Sequence, residues 1–500
     1  MSLLATALCF IHPITIQGRY FVDTITNEPF YIKGVDYQPG GSSGVVDYKD
    51  PLSDARACAR DILLFQELGI NTIRVYSVNT DLNHDACMSM LAAAGVYLAL
   101  DVNSPIPNHH LNRYEPWNSY NVEYLENVFK VVEQFSYYNN TLGFFAGNEV
   151  INDITSAKNS AVYVKAMVRD IKNYISYNSP RPIPVGYSAA DDLNFRISFS
   201  SYLQCMDESP SDSVDFYGVN SYQWCGDQTF YTSGYDSLVN DYLSYSRPVF
   251  LSEYGCNLIT PRQFGEVPTL YSNDMVDVFS GGLVYEFSQE PNSYGLVELS
   301  SNGDVKLLED FLSLKRQFDA LPEIDYHHVA QAMRQNAKEI QSIKKFQRFG
   351  LQPCDETYEH IDISRGIPKS LADDLVDFGV EVQRGRFISL SEQDFTCAFN
   401  ILDPKGQPYP ISKTITPIID HMSGVGYDKF NRVRHKSGMY NGDESKDENG
   451  VSEWEYSDSD ASGSETDSES MGNKDETIFS KASTYLANAF HSIANIFSHS

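Results

Sequence analysis

Several things are scarce in this chain of 500 residues, and each shortage excludes a class of function. Lys and Arg number 37 against 67 Asp and Glu, a formal charge of −30. Phosphate backbones are held by clustered cations, so nucleic acid is not an expected partner. No run of about 18 apolar residues occurs, which excludes a transmembrane helix. Eight cysteines are too few for a disulfide scaffold of this size, and no CxxC pair suggests zinc. His84, His109 and His110 lack an HExxH spacing, so neither metal nor cofactor is expected. Tryptophan is limited to 3 residues, but tyrosine reaches 33. A tyrosine offers a flat apolar face plus a hydroxyl, which suits stacking on sugar rings, although most of these residues are ordinary packing.

Hydrophobic residues make up 42% of the chain, enough for a large core. From residue 14 to 320, strand-like and helix-like stretches alternate in the manner of βα units. The strand-like stretches are Phe30–Tyr37, Thr72–Ser77, Val96–Val102, Gly143–Gly147, Ile183–Tyr187, Asp215–Asn220, Pro248–Glu253 and Gly282–Phe287. They are almost continuously apolar, as expected of parallel strands covered on both faces. Amphipathic stretches such as Ala55–Leu68, Val122–Phe135 and Ala161–Tyr174 separate them. Eight strands predict an α/β fold, a closed (β/α)8 TIM barrel. An open doubly wound sheet is disfavoured, because Tyr37-Gln-Pro-Gly-Gly41 is not the Gly-rich phosphate turn that fold uses.

Beyond the barrel, residues 321–422 read as a small appended region packed on it, with helices over Val329–Phe346 and Ser370–Val380. Residues 423–476 form an acidic linker that has too little apolar surface to offset the entropy of ordering. Between Asp443 and Glu476, thirteen acids face only Lys446 and Lys474. Residues 477–500 form an amphipathic helix. It suits either weak contact with a membrane surface or a partner, or folding back on its own chain. Residues 1–13 are a possible signal segment, with a buried N-terminal strand as the alternative.

The chemistry sits at strand ends. Glu149 closes the apolar run Leu142-Gly-Phe-Phe-Ala-Gly-Asn-Glu149, and Glu253 closes Pro248-Val-Phe-Leu-Ser-Glu253. In a (β/α)8 barrel the C-terminal ends of the strands form the active rim. Two acids there suit glycosidic bond chemistry, which needs a proton donor and a nucleophile or base. Asn148 stands beside Glu149, where its amide can bond the sugar hydroxyl next to the reacting carbon. Tyr37 and Gln38, Arg74 and Tyr76, Asp101, Tyr222 and Tyr285 stand at other strand ends and suggest a sugar-binding groove. Arg74 is expected to support a carboxylate by ion pairing. Cys225 and Cys256 follow successive strands and should meet on the rim, while Cys58 and Cys87 lie on successive helices. Bridges there imply an oxidising compartment. Asn139-Asn140-Thr141 is a glycosylation sequon compatible with secretion.

Gly34-Val-Asp-Tyr-Gln-Pro-Gly-Gly41, Asn71-Thr-Ile-Arg-Val-Tyr76, Gly143-Phe-Phe-Ala-Gly-Asn-Glu-Val150, Ile183-Pro-Val-Gly-Tyr-Ser188, Asp215-Phe-Tyr-Gly-Val-Asn220, Ser252-Glu-Tyr-Gly-Cys-Asn257 and Gly281-Gly-Leu-Val-Tyr285 occur in that order. Together they resemble the fungal cell-wall β-1,3-glucanosyltransferases, glycoside hydrolase family 72 or the Gas family. The resemblance implies a retaining enzyme that cleaves an internal β-1,3-glucan bond and passes the new end to another β-1,3-glucan. Donor and acceptor glucan chains would be its partners. It assigns Glu149 as acid/base and Glu253 as nucleophile. Gln38, Tyr76, Asp101, Asn148, Tyr222 and Tyr285 would line the donor site. It also implies three disulfides: Cys58–Cys87, Cys225–Cys256 and a long link, Cys205–Cys354.

Departures from the family pattern are visible too. The Cys-rich C-terminal carbohydrate module of some members has no counterpart, and Cys397 has no evident partner. No apolar tail for a GPI anchor is evident, so the expected location is secreted, at the cell wall or cell surface. Two alternatives stay open: a hydrolytic β-1,3-glucanase, and a glucan-binding wall protein without turnover.

Overall fold

The computed structural model describes residues 11–42, 44–46, 48–344 and 351–418. The acidic linker, the C-terminal amphipathic segment and most of the possible signal segment lie outside these residues.

Eight parallel strands close into a barrel: Ile32–Asp36, Thr72–Val75, Tyr97–Asp101, Thr141–Asn148, Val185–Ala190, Phe216–Asn220, Val249–Tyr254 and Phe279–Val284. Closure runs through the eighth strand onto the first, with Gly282 paired to Lys33 and Val284 to Val35. Seven of the strands fall where the apolar runs place them. The eighth differs, because it starts at Phe279 and ends at Val284, so Tyr285–Phe287 belongs to the loop beyond it. The small residues Ser280, Gly281 and Gly282 hide that strand's beginning in the sequence.

The helices follow local rules. Asp54 caps Ala55–Leu68 by accepting from the backbone N–H groups of Arg56 and Ala57, and Gly69 ends it in the left-handed region. Asn121 caps Val122–Phe135 in the same way. The helix expected over Ala161–Tyr174 extends to Ile154–Asn178, started by a capping box between Asp153 and Ser156.

The barrel is plugged at the N-terminal ends of its strands. An antiparallel hairpin, Ile14–Gln17 with Tyr20–Asp23, carries Phe21 to within 5.7 Å of the Phe216 ring and 5.9 Å of the Phe250 ring. Phe145 packs on Phe216 at 5.2 Å. Full burial of such a ring is worth roughly 1.5–3 kcal/mol. Above this aromatic floor the interior turns polar, and polarity inside a closed barrel must be satisfied locally.

Residues 321–418 hold one helix over Tyr326–Lys344 and a short one over Asp373–Phe378, whereas a longer segment over Ser370–Val380 was expected. Much of the rest is irregular chain lying across the barrel's helices. Cys354 is bonded to Cys205, Arg384 pairs with Glu133 at 2.6 Å, and the Ile388 N–H donates to Ser89. Ile401–Leu402 joins Val297–Leu299 and Val305–Leu307 in a small sheet. The other disulfides are Cys58–Cys87 and Cys225–Cys256. Cys397 is free and buried. Among the described residues no helix is long and apolar enough to cross a membrane.

Candidate active site

Arg74 is the centre of the polar layer. Its guanidinium lies over the rings of Tyr76 and Phe145, 4.4 and 4.5 Å from their centroids. Nε and Nη2 donate to the two carboxylate oxygens of Asp101 at 2.9 and 2.8 Å. Nη1 donates to the Ser252 carbonyl at 3.2 Å and to Glu253 Oε1 at 3.3 Å. A wholly buried guanidinium requires such partners, because each unpaired donor would cost free energy.

Glu253 is 7% exposed and receives two further donors. The Tyr76 hydroxyl donates to Oε1 at 2.9 Å and the Tyr222 hydroxyl to Oε2 at 2.8 Å. Burial pushes its pKa up to about 7; Arg74 opposes the rise, nearby Glu149 adds to it, and the two tyrosine hydroxyls pull it down. Tyr285 closes this side, its ring 6.4 Å from Tyr76 and 6.3 Å from Tyr222. Asn292 donates to the Tyr285 hydroxyl at 3.2 Å.

Glu149 stands across the barrel mouth, half-buried, with φ of +45°. The left-handed region costs an L-residue roughly 1–2 kcal/mol, so the backbone is strained at the residue that carries the second carboxylate. Its N–H is held by the Ser188 carbonyl at 2.9 Å. Oε1 accepts from Asn220 Nδ2 at 2.8 Å, and the same Nδ2 donates to Asn148 Oδ1 at 3.0 Å.

The remaining expected site residues divide by strand alternation. Tyr37 is a correction: it is 2% exposed, and its ring packs on Phe65 and Phe287. Its hydroxyl donates to Asp61 at 2.8 Å. It therefore belongs to the strand–helix core and lines no groove. Its neighbours Asp36 and Gln38 point the other way. Gln38 spends its whole amide on the second strand's end, donating to the Ser77 carbonyl and hydroxyl and accepting from the N–H groups of Tyr76 and Ser77. Asp101 is buried in the grip of Arg74. Asn139 is half-buried in the turn before the fourth strand, at the opposite end of the barrel from these carboxylates.

Four further residues belong to the polar layer. Ser188 and Ser252 donate to Asn220 Oδ1 at 2.9 and 2.8 Å, so Asn220 links three strands. Asp36 is wholly buried, 4.0 Å from Arg74 Nη1, with no hydrogen bond to either oxygen among the described residues. Burial drives its carboxyl far above the usual range; Arg74 opposes this and Glu253 reinforces it. The available signal was a polar residue inside an apolar run, which is costly unless bonded.

The profile of the family described as Glucanosyltransferase, glycoside hydrolase family 72, matches residues 4–322. The chain belongs to that family. Among its relatives, the 1,3-beta-glucanosyltransferase GAS4 of Saccharomyces cerevisiae is 57% identical over 406 residues, 81% of this chain and 83% of that protein. The 1,3-beta-glucanosyltransferase gel2 of Aspergillus fumigatus is 52% identical over 318 residues, 64% of this chain and 66% of that one. Among solved structures, Saccharomyces cerevisiae Gas2p in complex with laminaripentaose aligns with a TM-score of 0.62 and 37% identity. That alignment covers 72% of this chain and 77% of Gas2p. Membership accounts for the barrel and for the resemblance carried by the strand-end motifs.

Proposed function

We propose that this protein is a retaining β-1,3-glucanosyltransferase. It cleaves an internal β-1,3-glucan bond and joins the new end to the 3-hydroxyl of a second β-1,3-glucan. The carrying observation is that Glu253 receives hydrogen bonds from Tyr76, Tyr222 and Arg74. Three donors aimed at one buried carboxyl favour its ionised form, the form a nucleophile needs. Glu253 attacks the anomeric carbon while Glu149 gives its proton to the departing glucan oxygen. Glu149, now ionised, takes the proton of the acceptor hydroxyl as that oxygen displaces Glu253 and restores it. The names of the relatives and the laminari-oligosaccharides bound by Gas2p support glucan as the substrate. Asn148, Tyr76, Tyr222 and Tyr285 are assigned to the donor site. The three disulfides support a working place outside the cell, at the wall.

The test is incubation of the purified chain with a single β-1,3-gluco-oligosaccharide reduced at its end, followed by mass spectrometry. Products both shorter and longer than the substrate are expected. Shorter products alone would make the protein a hydrolase, and binding without products a glucan-binding protein. Glu253→Gln should abolish transfer and Glu149→Gln should cut it to a small residual rate, each without loss of fold.

A further inference from the structure

Asn220, at the end of the sixth strand, is 4% exposed and uses its carboxamide completely. A primary amide has two N–H donors and two acceptor lone pairs. Here the donors go to Asn148 Oδ1 at 3.0 Å and Glu149 Oε1 at 2.8 Å. The acceptor positions take the hydroxyls of Ser188 and Ser252 at 2.9 and 2.8 Å. The two serine hydroxyls also lie 2.9 Å apart.

We propose that Asn220 is a positioning residue for the transfer reaction: it orients Glu149 for proton transfer and turns Asn148 so that its N–H donors face the donor sugar. This inference rests on the reading of Glu149 as acid/base. The amide cannot be flipped without aiming its oxygen at a carboxylate and at the Asn148 carbonyl, so its orientation is fixed by its own neighbours. Two consequences follow. With Oε1 engaged by Asn220, Oε2 is the oxygen of Glu149 left to carry and deliver the proton. With its oxygen accepting from Asn220, Asn148 turns its N–H donors toward the sugar, which answers with the lone pair of a hydroxyl. Ser252 immediately precedes Glu253, so the strand of the nucleophile and the end of the acid/base strand are keyed to one amide. A misplacement of such groups costs rate far more than it costs binding.

The test is a double-mutant cycle in the full-length chain, reading kcat and KM for transfer between β-1,3-gluco-oligosaccharides. Asn220→Ala should lower kcat by roughly 10- to 100-fold, the effect of one hydrogen bond to a charged group, with KM within about threefold. Introduced into Glu149→Gln, the same change should cost far less than it does in the parent, because of the two side chains that Asn220 orients only Asn148 then remains. Independent, multiplying losses would overturn the proposal, as would full activity of Asn220→Ala. Should that variant fail to fold, Ser188→Ala and Ser252→Ala each remove one anchor of the amide. Smaller kcat losses with the same non-additivity are then expected, and unchanged activity in both would overturn the proposal. Full activity of Glu149→Gln would instead sink the acid/base reading, and this inference with it.

Discussion

Arg74 pairs with Glu253 through a single nitrogen, Nη1 at 3.3 Å, because its other face is committed to Asp101. One buried guanidinium thus serves two carboxylates by hydrogen bonds, with a third, Asp36, 4.0 Å away. Arg74→Met should destabilise the fold by roughly 3–5 kcal/mol, since two buried charges lose their partner. It should also remove nearly all transfer. Arg74→Lys keeps the charge but not the fork, and should recover stability only in part. Urea unfolding alongside kcat separates the two effects, and a Lys variant equal to the parent in both would contradict the geometry.

Tyr76 and Tyr222 each give one phenolic hydrogen bond to Glu253. Tyr76→Phe and Tyr222→Phe should each lower kcat by roughly 10- to 100-fold, as expected for a bond to a charged acceptor. Both hydroxyls stabilise the ionised carboxylate and so pull its pKa down. Removing either raises it, and the acid limb of the kcat/KM profile should move to higher pH. An unmoved acid limb would show that these hydroxyls do not act on the nucleophile.

Tyr37 tests the alternation argument. Its hydroxyl bonds Asp61, which Arg60 also holds at 2.7 Å on each oxygen. Tyr37→Phe should cost about 1 kcal/mol of stability and leave kcat/KM within about twofold of the parent. A large rise in KM would return Tyr37 to the groove.

Lys165 is buried on the Ile154–Asn178 helix, its Nζ donating to the carbonyls of Tyr202 and Cys205 at 2.7 Å each. Burial lowers its pKa from 10.5 to about 7. Between those values the unfolded chain holds a proton that the folded chain has lost, so this residue's contribution rises with pH and its full cost is felt below 7. Relative to Lys165→Met, the parent should gain roughly 2 kcal/mol or slightly more between about pH 7 and pH 9. A stability difference that is flat in pH would exclude the lysine as its source.

Much of the architecture was legible in residue order. Apolar runs located seven strands closely, and apolar residues at three- and four-residue spacing located the helices Ala55–Leu68 and Val122–Phe135. The eighth strand was misplaced by a few residues because Gly281 and Gly282 carry no apolar signal. The extended chain from 351 to 418 was largely illegible, since its contacts to Glu133, Ser89 and Cys205 are distant in sequence and follow no period.

The sequence by itself determined that two glutamates end two apolar strands of a barrel, because burial fixes where such runs start and stop. Only the tertiary structure decided which neighbours serve them. Ideal alternation would send Ser252 and Glu253 to opposite faces, yet both bond to groups of the polar layer, and the register shifts between Leu251 and Glu253. Asn148 and Glu149 likewise both meet Asn220, across another register shift and a left-handed residue. Such breaks in period cost local strain and persist because barrel closure brings partners from other strands to meet them. No pattern within a single strand announces them.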